Sequence, residues 1–448
     1  MSMSRRSFVR CASLAAAGHA AGLRPFGAMN ALAAASPGYQ ALVCIFLYGG
    51  NDSNNTLVPF DAAGYANYAQ IRAGLAIPQG NLLPLSLAPN YALHPNIPEI
   101  QALFNQQNAA FVANVGTLVQ PLTKIQYQGG SAPTPNNLFS HPDQQSEWQN
   151  AQASSTASTG WAGRIADIFQ PQYNPNGQLP LITSVAGDTL FCNGSNTGPV
   201  AVTPGSITGG QCSINPSLCG GRVAAAQALV ALPNNVSLVQ ADNAITANAY
   251  TYMSILGQAL QGMPALQTQF PAKNSLATQL QQIAQIIQAR QSLEVNRQIF
   301  FAGLGNFDTH ANQLSTQSGL LSMISPAINA FYEATQEMGL ANQITTFTMS
   351  DFARALQPNS NNGSDHAWGG HHVVIGGAVS GGKIYGTYPT LELGGPDDSG
   401  LNGRWIPTTA SVQYAATLAL WFGVQAADLP TIFPTIANFS AANLGFFG

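Results

Sequence analysis

The chain has 448 residues, of which 46% are hydrophobic and only 7% charged, with 14 Lys+Arg against 18 Asp+Glu for a formal charge of −4. So much apolar material can bury a large core, which argues against disorder, and an acidic balance without a basic run argues against nucleic acid or anionic membrane as the main partner. Because charge is scarce, each carboxylate is more apt than usual to have a specific task.

The first element is a leader. Ser4-Arg5-Arg6-Ser7-Phe8 opens it, a soft apolar run follows from Cys11 to about Leu23, and small residues gather at 31–35. This is the order of charged, apolar and cleavage regions in an export signal, and the arginine pair followed by Phe marks the twin-arginine route. The expected organisation is a twin-arginine signal over residues 1–35 and one α/β domain over 36–448. The remaining chain then keeps 10 basic and 18 acidic residues, for a charge of −8. It is expected in the periplasm or outside the cell, with the twin-arginine translocase as its partner during export. No later stretch is long and apolar enough for a transmembrane helix.

Ala41–Tyr48 is a continuous apolar run closed by Gly49-Gly50, as in a buried central strand. A helix is expected over 98–106 and a second strand over 109–115. Ser140-His141-Pro142 opens a helix over 140–150, with Ser as N-cap and Pro in the first turn. A short amphipathic helix follows over 160–169 and a strand over 179–185. Residues 186–236 are rich in Gly, Ser, Thr, Asn and Pro and read as an inserted loop or small β excursion. From about 242 to 297 helical spacing dominates, with Leu280, Ile283 and Ile287 on one face. The last third alternates: strand 297–303, helix 319–339, strand 344–349, strand 372–377 and helix 408–422. Such alternation predicts a mostly parallel central sheet flanked by helices on both faces, with a Gly/Ser/Cys-rich insertion.

Cys44 lies in the first apolar strand and reads as a buried, inert thiol. A disulfide between Cys212 and Cys219 suits an oxidising compartment, with Cys192 as the competing partner.

Polar chemistry collects where open α/β sheets place it, just past the strand ends. Asp52 follows the first strand. Asp308 and His310 follow the strand ending near Leu304, and Asp351 follows the strand over 344–349, with Arg354 three residues on. Asp365, His366, His371 and His372 lie in the Gly-rich GSDHAWGGHH. Oxygen and imidazole groups are what a divalent cation such as zinc, manganese or magnesium requires. Taken singly, these residues also suit turn caps and a satisfied core histidine; taken together at three strand ends, they read as a metal site. Ser140, at a helix N-terminus, is the candidate nucleophile, although it also suits a plain N-cap. Thr56 is a weaker nucleophile candidate. Arg354 and Arg164 are candidates for binding an anionic group or for structural ion pairs, and His94 reads as structural. There is no G-x-S-x-G elbow, phosphate-binding P-loop or dinucleotide fingerprint.

The leader together with GGNDSNNTLVP, FSHPDQQSEWQ, GWAGRIAD, NFDTHANQ, TMSDFAR, SDHAWGGHHVVIGGAVSGGKIYG and GRWIPTTASVQYAATLALWFGV resembles the family of unknown function numbered 1501. The likeness spans essentially the whole chain after the leader and is weakest over 186–300. The family is grouped with the alkaline phosphatase and sulfatase superfamily, so the resemblance implies an alkaline phosphatase-like parallel sheet, two metal sites and a nucleophile on a helix N-terminus. It implies Asp52, Asp308, His310 and Asp351 as ligands, with His371 or His372 as the late histidine and Ser140 at the nucleophile position. The chain departs from that pattern twice. Asp351-Phe352 stands where Asp-His is common, so one ligand is missing unless His366 replaces it, and Gln144 stands where sulfatases carry arginine. The expected activity is metal-dependent hydrolysis of phosphate or related anionic esters, of small molecules or polymers. A non-catalytic secreted protein binding a partner or polysaccharide is the alternative, and phosphomutase-like transfer a more distant third.

Overall fold

A strand as apolar as Gln40–Leu47 (β1) is stable only with both faces covered, and in the computed structural model it lies buried in the middle of a nine-stranded sheet. The structure describes residues 38–154, 156–204, 216–233 and 235–448. The leader and the Cys212–Cys219 pairing therefore lie outside the described residues. The other strands are β2 (Ala109–Gly116), β3 (Ile182–Ser184), β4 (Val200–Ala201), β5 (Arg297–Leu304), β6 (Ile344–Ser350), β7 (Gly370–Ile375), β8 (Ile384–Gly386) and β9 (Thr409–Ala410). Their order is β8-β2-β7-β6-β1-β5-β3-β4, with β9 also beside β2. All pairings are parallel except those of β7, which runs antiparallel to both β2 and β6.

Helices cover the sheet. They include α1 (Ala62–Arg72), α2 (Pro98–Asn105), α3 (His141–Asn150), α4 (Trp161–Tyr173), α5 (Pro216–Val230), α6 (Ser237–Leu260), α7 (Ser275–Gln288), α8 (Gln313–Glu337) and α9 (Ser411–Phe422). Alternation along β1 sends Leu42, Cys44 and Phe46 into one core with Ile165 and Phe169 of α4 and Leu418 and Phe422 of α9. Each such fully buried side chain stabilises the fold by about 1.5–3 kcal/mol. The opposite face is covered by α7, which packs on β5 and on α8, while α8 packs on α2. No helix among the described residues is long and apolar enough to cross a membrane.

Register places the site. Leu47 lies opposite both Leu304 and Ser350, so β1, β5 and β6 end at one level and the segments after them emerge side by side. Because β7 is antiparallel to β6, its start is at that same edge, and the Gly-rich stretch before it arrives there too. β2 ends there as well, since its Val115 faces Gly370.

Four expectations change. The strand placed at 372–377 begins at Gly370, because pairing with β2 and not side-chain pattern fixes its start; His371 and His372 thus lie within the sheet. The strand over 179–185 shortens to Ile182–Ser184. Helix α8 begins at Gln313, six residues before the apolar periodicity that signalled it. The inserted region contains α5, whose Gly-Gly pair masks an otherwise Ala/Leu-rich helical run opened by Pro216. A small sheet of Leu57–Pro59, Leu83–Pro84 and Tyr91–Leu93 was not anticipated. Cys44 and Cys192 are buried thiols, and neither is bonded to another cysteine among the described residues.

Candidate metal centre

Three imidazoles converge on one carboxylate oxygen at the sheet edge. Asp308 Oδ1, in the turn after β5, stands 3.5 Å from His141 Nε2, 3.1 Å from His310 Nε2 and 3.3 Å from His366 Nε2. His310 Nε2 and His366 Nε2 are 2.8 Å apart. Each ring turns its other nitrogen toward an acceptor: His141 Nδ1 toward Asp351 Oδ2 at 2.6 Å, His366 Nδ1 toward the Phe139 carbonyl at 2.7 Å, His310 Nδ1 toward Asp365 Oδ1 at 3.4 Å. In a neutral ring that donates from Nδ1 to its acceptor, Nε2 presents a lone pair. Three nitrogen lone pairs then face a carboxylate oxygen, and His141 Nε2 is buried with no hydrogen-bond partner. Like-signed lone pairs gather this way around a shared cation. Ligand atoms about 2.1 Å from a tetrahedral zinc ion stand about 3.4 Å apart, which the separations from Asp308 Oδ1 match. Ligand atoms of His141, Asp308 and His366 all lie within 4.8 Å of one another.

The charged groups of the cluster act on one another. Burial pushes the Asp308 carboxyl up, but the Arg354 hydrogen bond and charge, helped by His310 and His141, outweigh it and hold the group at about 2. The hydrogen bond to Asp351 raises His141 above its ordinary value, against the lowering effect of burial. Burial, followed by the nearby Arg354, His141 and His310, lowers His366.

The local sequence explains the geometry. His141 opens α3, with Ser140 as its N-cap and Pro142 in the first turn. Ser140 Oγ donates to Asp143 Oδ2 at 2.5 Å. Arg354 is fully buried. Its guanidinium donates to the carbonyls of Gly49 (2.6 Å), Gly50 (3.1 Å) and Ser364 (2.9 Å) and to Asp308, so it supports the site and does not reach outward. Phe352, where the resemblance leads one to look for histidine, forms an apolar wall with its ring 4.8 Å from His141 and 4.5 Å from His366.

The candidate residues thus divide. Asp308, His310 and His366 meet directly. Asp351 and Asp365 meet them through histidine Nδ1 atoms. Asp52 is buried elsewhere in the turn, held by Arg72 and Gln313, so a protein cation already faces it. His371 and His372 are embedded in β7: the His371 ring stacks on Tyr388 at 4.6 Å and its Nδ1 accepts from Asn114 N at 3.0 Å, while His372 packs on Trp148 at 4.8 Å. Burial holds both near a pKa of about 3. Gln144 and Arg164 bond within the fold, the latter to the carbonyls of Ile432, Thr159 and Asn150. The buried His94 accepts from Asn96 N at 3.0 Å. His141 was not anticipated as a ligand. Its signal was available, because a histidine beside the candidate nucleophile at a helix start is as well placed as the serine itself.

A pH effect follows from the buried pair. The folded pKa of His372 lies below the unfolded value, so the unfolded state takes up the proton first and stability is lost as pH falls below about 6.5. The loss is about 0.7 kcal/mol for each such histidine between pH 7 and 6. His372→Phe, which keeps the aromatic contact with Trp148, is expected to flatten the pH dependence of urea unfolding by that amount. An unchanged slope would show that His372 titrates normally in the fold.

The family model described as "Protein of unknown function (DUF1501)" matches residues 39–398. No curated protein matches the sequence. Among solved structures, the backbone is similar to the lipoteichoic acid synthase LtaP from Listeria monocytogenes, at 8% identity over 89% of this chain and 76% of that one, with a TM-score of 0.36. It is also similar to the PsFucS1 sulfatase from Pseudoalteromonas sp., at 8% identity over 94% and 72%, with a TM-score of 0.37. A mutant of the alkaline phosphatase PafA gives 12% identity over 71% and 64%, with a TM-score of 0.27. Likeness at this level carries no functional argument.

Proposed function

The chain belongs to the DUF1501 family, and we propose that it is an exported, metal-dependent hydrolase of phosphate or related anionic esters. One observation carries this reading: three histidines, each with Nδ1 turned to an acceptor, aim Nε2 at Asp308 Oδ1. His141, Asp308 and His366, with His310 beside them, would hold the ion, a nitrogen-rich donor set that suits zinc. Bound there, a divalent cation supplies Lewis-acid polarisation of an ester oxygen. Arg354 and Phe352 fix the ligands from behind. Ser140 sits at the N-terminus of α3, where unpaired N–H groups and the helix dipole favour an anionic ester. Its hydroxyl donates to Asp143 Oδ2, which would take the proton as Oγ bonds to the phosphorus or sulfur and the alcohol is expelled, protonated by water; the hydroxide so formed would cleave the Ser140 ester, and Oγ would recover its proton from Asp143. The leader around Arg5-Arg6 supports export, and the twin-arginine route suits a chain folded around its metal before transport.

Metal analysis of the purified chain is expected to find a divalent ion, and Asp308→Ala, which removes a ligand, is expected to abolish its binding. Ser140→Ala should keep the metal and lose turnover on a panel of phosphomonoesters, phosphodiesters and sulfate esters. A chain that neither contains nor binds a divalent ion overturns the reading.

A second reading is a non-catalytic secreted binding protein on the same fold. The pairing of Asp52 with Arg72 favours it, since this leaves one candidate ion position among the described residues. It expects bound metal with every ester blank.

A further inference from the structure

Asp351 is the first residue after β6 and is fully buried. Its Oδ1 accepts from Gly49 N at 3.2 Å. Its Oδ2 accepts from Gln145 Nε2 at 2.9 Å and faces His141 Nδ1 at 2.6 Å. His141 and Gln145 are one turn apart on the same face of α3, so this carboxylate grips the start of the helix at two points. Both lone pairs of Oδ2 are thereby committed to protein donors. A carboxylate spent in this way is a poor ligand, but it does something a ligand cannot. It keeps the proton of His141 on Nδ1 and leaves Nε2 bare toward Asp308.

We propose that Asp351 is a positioning residue of the metal centre and not one of its ligands: it fixes the tautomer and ring orientation of His141, with Gln145 holding it in place. The inference rests on the reading that His141 binds the ion. It gives α3 a double role, since the helix that presents Ser140 is locked to the sheet by the same carboxylate that prepares the ligand. Phe139 does the same for His366 through its backbone carbonyl, so a single segment, 139–145, orders two of the imidazoles.

Asp351→Asn is the discriminating variant. An amide offers one donor and one acceptor in place of two acceptors. With Oδ1 kept for Gly49 N, the new NH₂ faces His141 Nδ1, which must then accept, and the ring proton moves to Nε2 where it blocks ligation. Two measurements on the full chain after removal of the leader test this. Nitrogen NMR of histidine-labelled apoprotein at alkaline pH is expected to show His141 as the Nδ1–H tautomer in the parent and the Nε2–H tautomer in Asp351→Asn. Calorimetric titration with Zn²⁺ alone is expected to show a 10–100-fold weaker affinity in the variant, the usual cost of losing an outer partner of a ligating histidine.

An unchanged tautomer with unchanged affinity overturns the proposal. So does complete loss of Zn²⁺ binding equal to that of Asp308→Ala, which would make Asp351 a ligand. If the parent itself binds no Zn²⁺ the functional reading falls, whereas the tautomer shift still decides the role of Asp351. Should Asp351→Asn fail to fold, Gln145→Leu removes one of the two donors from Oδ2. A several-fold weaker Zn²⁺ affinity is then expected, and an unchanged affinity overturns the proposal.

Discussion

Replacing Arg72 with methionine is expected to destabilise the fold by about 3–5 kcal/mol, the usual cost of stranding one partner of a buried ion pair. Arg72 ends α1, and both its side chain and that of Asp52 are 0% exposed. Besides Asp52, it donates to Asn55 Oδ1 at 3.1 Å and to the carbonyls of Ala355 at 2.7 Å and Leu356 at 2.8 Å. Methionine fills much of the volume but leaves those carbonyls short of a donor and the Asp52 carboxylate facing only Gln313. Adding Asp52→Asn removes the stranded charge, so the double variant is expected to regain at least about 2 kcal/mol of the loss, a coupling that a double-mutant cycle in urea isolates. The experiment also judges Asp52 as a metal ligand. If Zn²⁺ stabilises Arg72→Met by more than it stabilises the parent, a cation has entered beside Asp52, and the arginine was standing in its place. If the two gain equally, Asp52 serves the fold.

The sheet was legible in the sequence because its longer strands read as apolar or β-branched runs without a carboxylate or lysine. ALVCIFLY, AAFVANV and the runs at 297–304 and 344–350 have no stable place except the inside of a covered parallel sheet. Placing acids and histidines past the ends of those strands then needed only the rule that loops at carboxyl edges carry function. Which of them meet was not legible. Asp52 and Asp351 look alike in the sequence, each an Asp just past a strand, yet one faces an arginine from α1 and the other a histidine from α3. That difference is made by helices whose docking depends on long-range packing. His371 and His372 misled for a different reason. The glycines before them read as a loop that ends at His371, with His372 opening the strand, whereas pairing with β2 starts the strand at Gly370 and draws both rings into the sheet. His141 is masked in the sequence because Ser140 and Pro142 on either side of it already account for the motif as a helix cap and first turn.

Gly49→Ala is expected to lower stability by about 3 kcal/mol or more and to weaken Zn²⁺ binding at least tenfold, although the added methyl touches no ligand side chain. Gly49 has φ +113°, a conformation that side chains rarely adopt. A Cβ there would lie 2.4 Å from Asp308 N and 2.9 Å from Phe307 C, backbone that cannot swing aside like the tip of a flexible side chain. The same residue joins the three strand ends: its N–H donates to Asp351 and its carbonyl accepts from Arg354. Displacing the Asp308 backbone therefore moves the carboxylate away from the histidines while disturbing the residue that orients His141 and the one that braces Asp308. Gly305→Ala is the control, since a Cβ there meets nothing within 4 Å in the same turn, and a change of less than about 1 kcal/mol is expected. Urea unfolding and Zn²⁺ calorimetry on both variants check this. Parental affinity in a folded Gly49→Ala would mean that Asp308 can follow its displaced backbone, and the junction of β1, β5 and β6 would not be what holds the metal centre together.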